Sequence, residues 1–306
     1  MEEPTVPAIQ EKQPMKLNIG KQWDFVAPMR LERYLHSSTV HGDFIYSIGG
    51  YNGKITLASV QRYNIKSNQW ESFSSLKPAR YCHSSVTCGD SIFCIGGYLS
   101  NNSRTNTVEK YDVKGSNEWY FVAPMITARY NLRAAAYREF IFVTGGYDGN
   151  SSLSTVEKYN TQTNQWSSVS SMISKRDGHV SVTCGDSIYS IGGYDGDGNQ
   201  HLNSAERYDI QTDKWISIAP MKQKRSYHAA VSIGESIFVI GGWEGSSPLK
   251  SVEMYDVRSN QWMEITPLNT ARKYLTAAIC GNSIFAIGGS VDGKQPLNTV
   301  EKLQLF

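Results

Sequence analysis

A pair of adjacent glycines recurs six times along the 306-residue chain, at 49–50, 96–97, 145–146, 192–193, 241–242 and 288–289, at intervals alternating between 47 and 49 residues. Trp23, Trp70, Trp119, Trp166, Trp215 and Trp262 keep the same intervals, each 26 residues before the first glycine of the next pair. A fixed period near 48 residues restricts the chain to architectures made of stacked supersecondary units, and it has to be read before any local motif. Taken alone, the stretch DSIFCIGGY could pass for a strand leading into a phosphate-cradling loop. Six-fold recurrence assigns its glycines to architecture instead: strand ends where a missing Cβ permits close packing and unusual backbone angles.

Within every unit an Ile stands four residues before the first glycine and is followed by an aromatic residue, from Ile45-Tyr46 to Ile284-Phe285. Turns such as Gly89-Asp90 and Gly185-Asp186, flanked by β-rich runs, predict a tight hairpin that ends on the glycines. A polar loop then leads to SVQRY, TVEKY, SAERY, SVEMY or TVEKL, a second turn and the Trp. Each unit therefore reads as four short antiparallel strands. Nearly all length variation falls between strands 2 and 3. The two ends of the repeat array complement each other: no Gly-Gly precedes Trp23, and no Trp follows NTVEKLQLF. The segment around Trp23 is expected to supply the outermost strand of the last unit, leaving no open edge.

The order Gly-Gly, V-E-x-Y, Trp, then a Pro- and Met-rich link with an Arg, resembles the kelch repeat. Six copies cover residues 21–306, and residues 1–20 read as a flexible N-terminal tail. The resemblance implies an all-β fold: a six-bladed kelch β-propeller with four antiparallel strands per blade, its last blade closed by the N-terminal strand. It is similar to the C-terminal kelch domain of kelch-like (BTB-BACK-kelch) substrate adaptors, which recruit substrates to cullin-3 ubiquitin ligases. Related kelch proteins bind actin. The resemblance thus implies a non-enzymatic module that captures a protein or peptide partner. Ubiquitin-ligase components are expected only through a BTB-BACK region, which this chain lacks. Some kelch propellers are enzymes, so a small molecule or sugar at the channel mouth is the alternative.

Local motifs give the enzyme alternative no support. There is no nucleophile elbow, H-E-x-x-H or Walker loop, and the E-x-x-x-D-x-x-x-H iron pattern of the nitrile-forming kelch proteins is missing. His36, His83, His179 and His228 recur 13 residues before a Gly-Gly, which marks them as repeat residues. No catalytic residue, metal or cofactor is expected. A formal net charge of +2 gives no reason to expect nucleic acid or a membrane as partner. The first twenty residues lack a signal-peptide core, and the five cysteines include no C-x-x-C, so the cytosol or nucleus is the expected compartment and buried free thiols the expected state.

In a four-stranded antiparallel blade the strand 2–3 loops and the strand 4–1 links open on one face, where variation leaves the core undisturbed. The links RLERY, KPARY, ITARY, ISKRD, KQKRS and NTARK hold 12 Lys or Arg against two acids, Glu32 and Asp177. The Arg in every link (Arg33, Arg80, Arg129, Arg176, Arg225, Arg272) forms a basic face or, as its strict recurrence suggests, pairs with the Glu of V-E-x-Y, which is Gln61 in blade 1. Positions that differ between blades are the better partner-binding candidates: Tyr34, Tyr81, Tyr130, Asn131, Asp177, Ser226, Tyr227, Lys273 and Tyr274 in the links, and Tyr51, Tyr98, Tyr147, Tyr194 and Trp243 after the glycines. Tyr and Arg are favoured at interaction hot spots, and the positive links suggest an acidic ligand.

Overall fold

A computed structural model describes residues 18–115 and 117–306. Six four-stranded antiparallel sheets stand around a central channel as the blades of a propeller. Blade 1 comprises Ser37–His41, Phe44–Ile48, Val60–Asn64 and Gln69–Phe73, running from the channel to the rim. The other blades repeat this order, and the innermost strands follow one another around the channel until Thr276–Cys280 meets Ser37–His41. In the last blade the rim strand is Ile19–Val26, paired antiparallel to Val300–Leu305 with Trp23 opposite Leu303. The expected closure is therefore present. This strand begins at Ile19, inside the span assigned to the tail, while residues 1–17 lie outside the described residues.

Each second strand is an apolar run, such as FIYSI, because neighbouring blades cover both of its faces. Rim strands such as QWESF are exposed except at the Trp and, here, the half-buried Phe73. That Trp ties blades together: the indole of Trp70 donates to the Ala27 carbonyl at 2.9 Å, Trp119 to Ser74 at 2.9 Å and Trp23 to Thr266 at 3.0 Å. Aromatic contacts between blades add to this, with Tyr63 against Phe285 at 5.7 Å and Phe142 against Tyr208 at 5.8 Å between ring centroids. All five cysteines are free and buried.

The Gly-Gly pairs form the second inter-blade tie. The N–H of Gly50 donates to the Arg80 carbonyl of the next blade at 2.8 Å, Gly97 to Arg129 at 2.9 Å, and Gly289 closes the circle on Arg33 at 3.0 Å. Gly96 and Gly97 have φ of 62° and 101°. A Cβ on Gly96 would stand 2.8 Å from the Arg129 carbonyl oxygen, and one on Gly97 would stand 2.7 Å from the His83 Cβ. Neither the angle nor the space admits a side chain.

Candidate functional site: a tyrosine arc on the loop face

The recurring Arg organises the loop face from below. In every blade its guanidinium reaches the carbonyl of the first glycine, for example Arg80 to Gly96 at 2.9 Å and Arg272 to Gly288 at 3.0 Å. In five blades it also meets the V-E-x-Y carboxylate, as Arg80–Glu109 at 2.9 Å, Arg129–Glu157 at 2.6 Å, Arg176–Glu206 at 2.8 Å, Arg225–Glu253 at 2.6 Å and Arg272–Glu301 at 2.6 Å. The carboxylate's other bonds go to the link backbone, such as the Lys77 N–H on Glu109 at 2.7 Å. Each pair thus fixes a link to its own blade. In blade 1 the Gln61 side chain accepts from the Arg30 N–H at 2.8 Å, and Arg33 has no carboxylate, so burial lowers its pKa to about 10.

This placement corrects the basic face. Arg33, Arg80, Arg129, Arg176, Arg225 and Arg272 are all 0% exposed, so half of the positive charge counted in the links is hidden. Their planar guanidinium satisfies several carbonyls at once in a dry site, which explains strict recurrence without any ligand.

Above this layer the two sets of partner-binding candidates meet in pairs. Backbone bridges join Tyr34 to Tyr51, Tyr130 to Tyr147, Asp177 to Tyr194, Ser226 to Trp243 and Lys273 to Ser290, and Tyr81 pairs with Tyr98. Seven ring contacts link eight tyrosines into one arc: Tyr227–Tyr274 at 4.8 Å, Tyr274–Tyr34 at 5.8 Å, Tyr34–Tyr51 at 5.7 Å, Tyr51–Tyr81 at 6.0 Å, Tyr81–Tyr98 at 5.5 Å, Tyr98–Tyr130 at 5.2 Å and Tyr130–Tyr147 at 5.5 Å. Tyr34 is buried and the other seven are partly exposed. Desolvation by neighbouring rings pushes the phenols of Tyr81 and Tyr130 up to about 12, which keeps them neutral hydrogen-bonding groups. A groove of about 470 Å³ opens where Tyr34, Tyr51 and Tyr81 meet the strand 2–3 loop residues Lys54, Ile55 and Asn102.

Other candidates face inward. Asp177 is buried and accepts from Ser152 Oγ at 2.6 Å and Asn131 Nδ2 at 3.3 Å, and burial raises its pKa. Ser226 is buried against His201 Nδ1 at 2.9 Å. Lys273 is buried with its ammonium 3.6 Å from the Trp243 ring centroid, so that Trp is partly covered by a cation. Tyr194 packs on His201 at 5.2 Å, away from the arc. Asn131, Asp177, Ser226 and Lys273 therefore serve the scaffold.

Two features go beyond the sequence reading. The exposed Ile55 beside the groove carried a signal, an isoleucine inside a polar loop. The other is a closed ring of backbone hydrogen bonds at the channel mouth. Leu35, Cys82, Asn131, Gly178, Tyr227 and Tyr274 all have φ between 51° and 59°, and each N–H donates to the carbonyl of the one before, Tyr274 preceding Leu35, at 2.6–3.1 Å. The space just inside this ring is about 10 Å³, no more than a single water occupies.

Comparison with known proteins agrees with this architecture. Kelch-like protein 38 of Rattus norvegicus and its Mus musculus counterpart are each 49% identical to the chain over 51 residues, which is 16% of this chain. The match spans 8% of the length of these curated relatives. The KLHDC2/KLHL20/DRC7 Kelch-repeats domain model matches residues 35–242 and 170–305. The chain belongs to that kelch-repeat domain family, as a six-bladed propeller with four antiparallel strands in each blade.

Proposed function

We propose that the propeller is a protein-interaction module that captures a peptide segment of its partner on the tyrosine arc. The observation that carries this is the unbroken run of eight tyrosine rings beside an open groove of about 470 Å³. Rings held by their neighbours offer large contact area at low entropic cost, and their hydroxyls can bond a peptide backbone. With the recurring arginines buried, aromatic contact is the main attraction. The exposed Lys54 at the groove gives an acidic partner a secondary one. The role of substrate capture for a cullin-3 ligase extends this reading and depends on a BTB-BACK region acting with the propeller. Five free thiols suit a reducing compartment, the cytosol or nucleus. Actin is a further partner of this class.

The channel-mouth enzyme draws less support, because the closed backbone ring bars a small molecule from this face. The test is selection from a displayed random-peptide library on the folded propeller. The wild type is expected to enrich a shared motif that a Tyr34→Ala, Tyr130→Ala, Tyr274→Ala variant, folded by circular dichroism, fails to bind. Equal binding by that variant would overturn the assignment of this face.

A further inference from the structure

Arg133 opens the innermost strand of blade 3, Arg133–Tyr137, where the other blades place Ser37, Ser84, Val180, Ala229 and Thr276. It is the one cation at that register, and it projects into the channel rather than the loop face. Beneath the closed backbone ring lies a chamber of about 160 Å³ lined by Arg133 together with His83, His228, Ser37 and Ser85. The guanidinium makes one hydrogen bond there, from Nη1 to the Leu132 carbonyl at 2.8 Å, and no salt bridge among the described residues. The acid whose field reaches it, Asp177, is already held by Ser152 and Asn131.

The rest of the chamber is equally short of partners. The buried hydroxyls of Ser37 and Ser85 have none, and the buried rings of His83 and His228 make no well-formed hydrogen bond, each leaning only towards a backbone carbonyl, of Ile48 and of Ile191. Four buried polar side chains without a partner around one cavity, beside a half-buried cation that makes a single hydrogen bond, are an unusual arrangement for a folded protein. Water satisfies hydroxyls and imidazoles, while the half-buried guanidinium of Arg133 has donors free for an anion and no carboxylate bonded to it. From the other mouth the channel is open, through a vestibule of about 540 Å³ lined by Thr39, Thr87 and Thr183 with small apolar residues.

We infer that the channel chamber is a binding site for a small oxyanion, a phosphate or carboxylate group, held by Arg133 with Ser37 and Ser85 as donors and entering from the face opposite the tyrosine arc. The chamber has room for such a group. Binding there is independent of peptide capture on the loop face.

The test is calorimetric titration of the folded propeller with inorganic phosphate and, separately, acetate at constant ionic strength, for the wild type and for Arg133→Ser, the residue that blades 1 and 2 carry at this register. The expected result is saturable binding of at least one anion by the wild type, weakened roughly tenfold or more in Arg133→Ser. The phosphate and acetate arms distinguish a tetrahedral anion from a carboxylate. Ser85→Ala, which leaves the charge in place, is expected to weaken binding less and keeps the test open if Arg133→Ser does not fold. A chamber that holds water only, seen as no saturable heat for either anion, or equal affinity in wild type and both variants, would overturn the site.

Discussion

Blades 1 and 4 share one backbone plan and present opposite surfaces. In both, the recurring Arg is buried and holds the first glycine carbonyl at 2.8 Å, and the residue after it bridges to the one after the glycines. In blade 1 those two positions are Tyr34 and Tyr51, whose rings meet edge to face and open onto the groove. In blade 4 they are Asp177 and Tyr194: the carboxylate sinks onto Ser152 and the phenol turns to His201. What repeats in all six blades builds the scaffold, and positions that change from blade to blade are left to select a partner.

The largest break in that comparison comes from the scaffold. Arg80→Ala leaves Glu109 buried without its cation and should cost about 3–5 kcal/mol in urea unfolding, with circular dichroism as the measure. Blade 1 offers the reverse experiment, because Arg33 already lacks an acid. Gln61→Glu restores the arrangement of the other five blades and should raise stability by about 1 kcal/mol. A loss instead would show that blade 1 is tuned to a neutral partner.

Acid should act on the four repeat histidines next. Burial depresses the pKa of His36, His83, His179 and His228 well below the ordinary imidazole value, so the unfolded chain binds more protons as pH falls through that value. Stability present above about pH 6.5 is therefore lost below it, by up to about 1.4 kcal/mol per imidazole for each pH unit. The buried carboxyls of Asp177 and Glu109, pushed up by desolvation, oppose this: their ionised form is the costly one, and acid relieves it. Thermal midpoints at pH 7.5 and 5.5 measure the balance, expected to fall with acid. His228→Leu, the residue blades 3 and 6 carry as Leu132 and Leu275, should flatten the slope by about a quarter of the histidine contribution.

Much of this fold was legible because its determinants repeat. Blade number, strand order, the glycine tie and the closure by the Trp23 strand all follow from spacing, since a repeat position has to do the same work six times. The Arg–Glu pairs were legible for the same reason, including their absence at Gln61. The surface was harder. Asp177, Ser226 and Lys273 stood out because they differ between blades, yet each is absorbed by a neighbour that spacing does not reveal: Ser152, His201 and Trp243. The arc itself depends on ring contacts between blades, such as Tyr51 with Tyr81, which no pattern within one repeat can express. Arg133 was visible as a lone cation among Ser, Val, Ala and Thr, but only the structure shows that this register faces the channel.

The comparison between arc and closed blades has one direct test. With a peptide selected on the wild type, dissociation constants are measured for a Tyr51→Ala, Tyr98→Ala variant on the arc and a Tyr194→Ala, Trp243→Ala variant over blades 4 and 5. Removing two hot-spot rings should weaken binding by about 2 kcal/mol or more, roughly thirtyfold, for the arc variant, and change it less than about threefold for the other. Equal losses in the two variants, or a loss confined to Tyr194 and Trp243, would contradict the account.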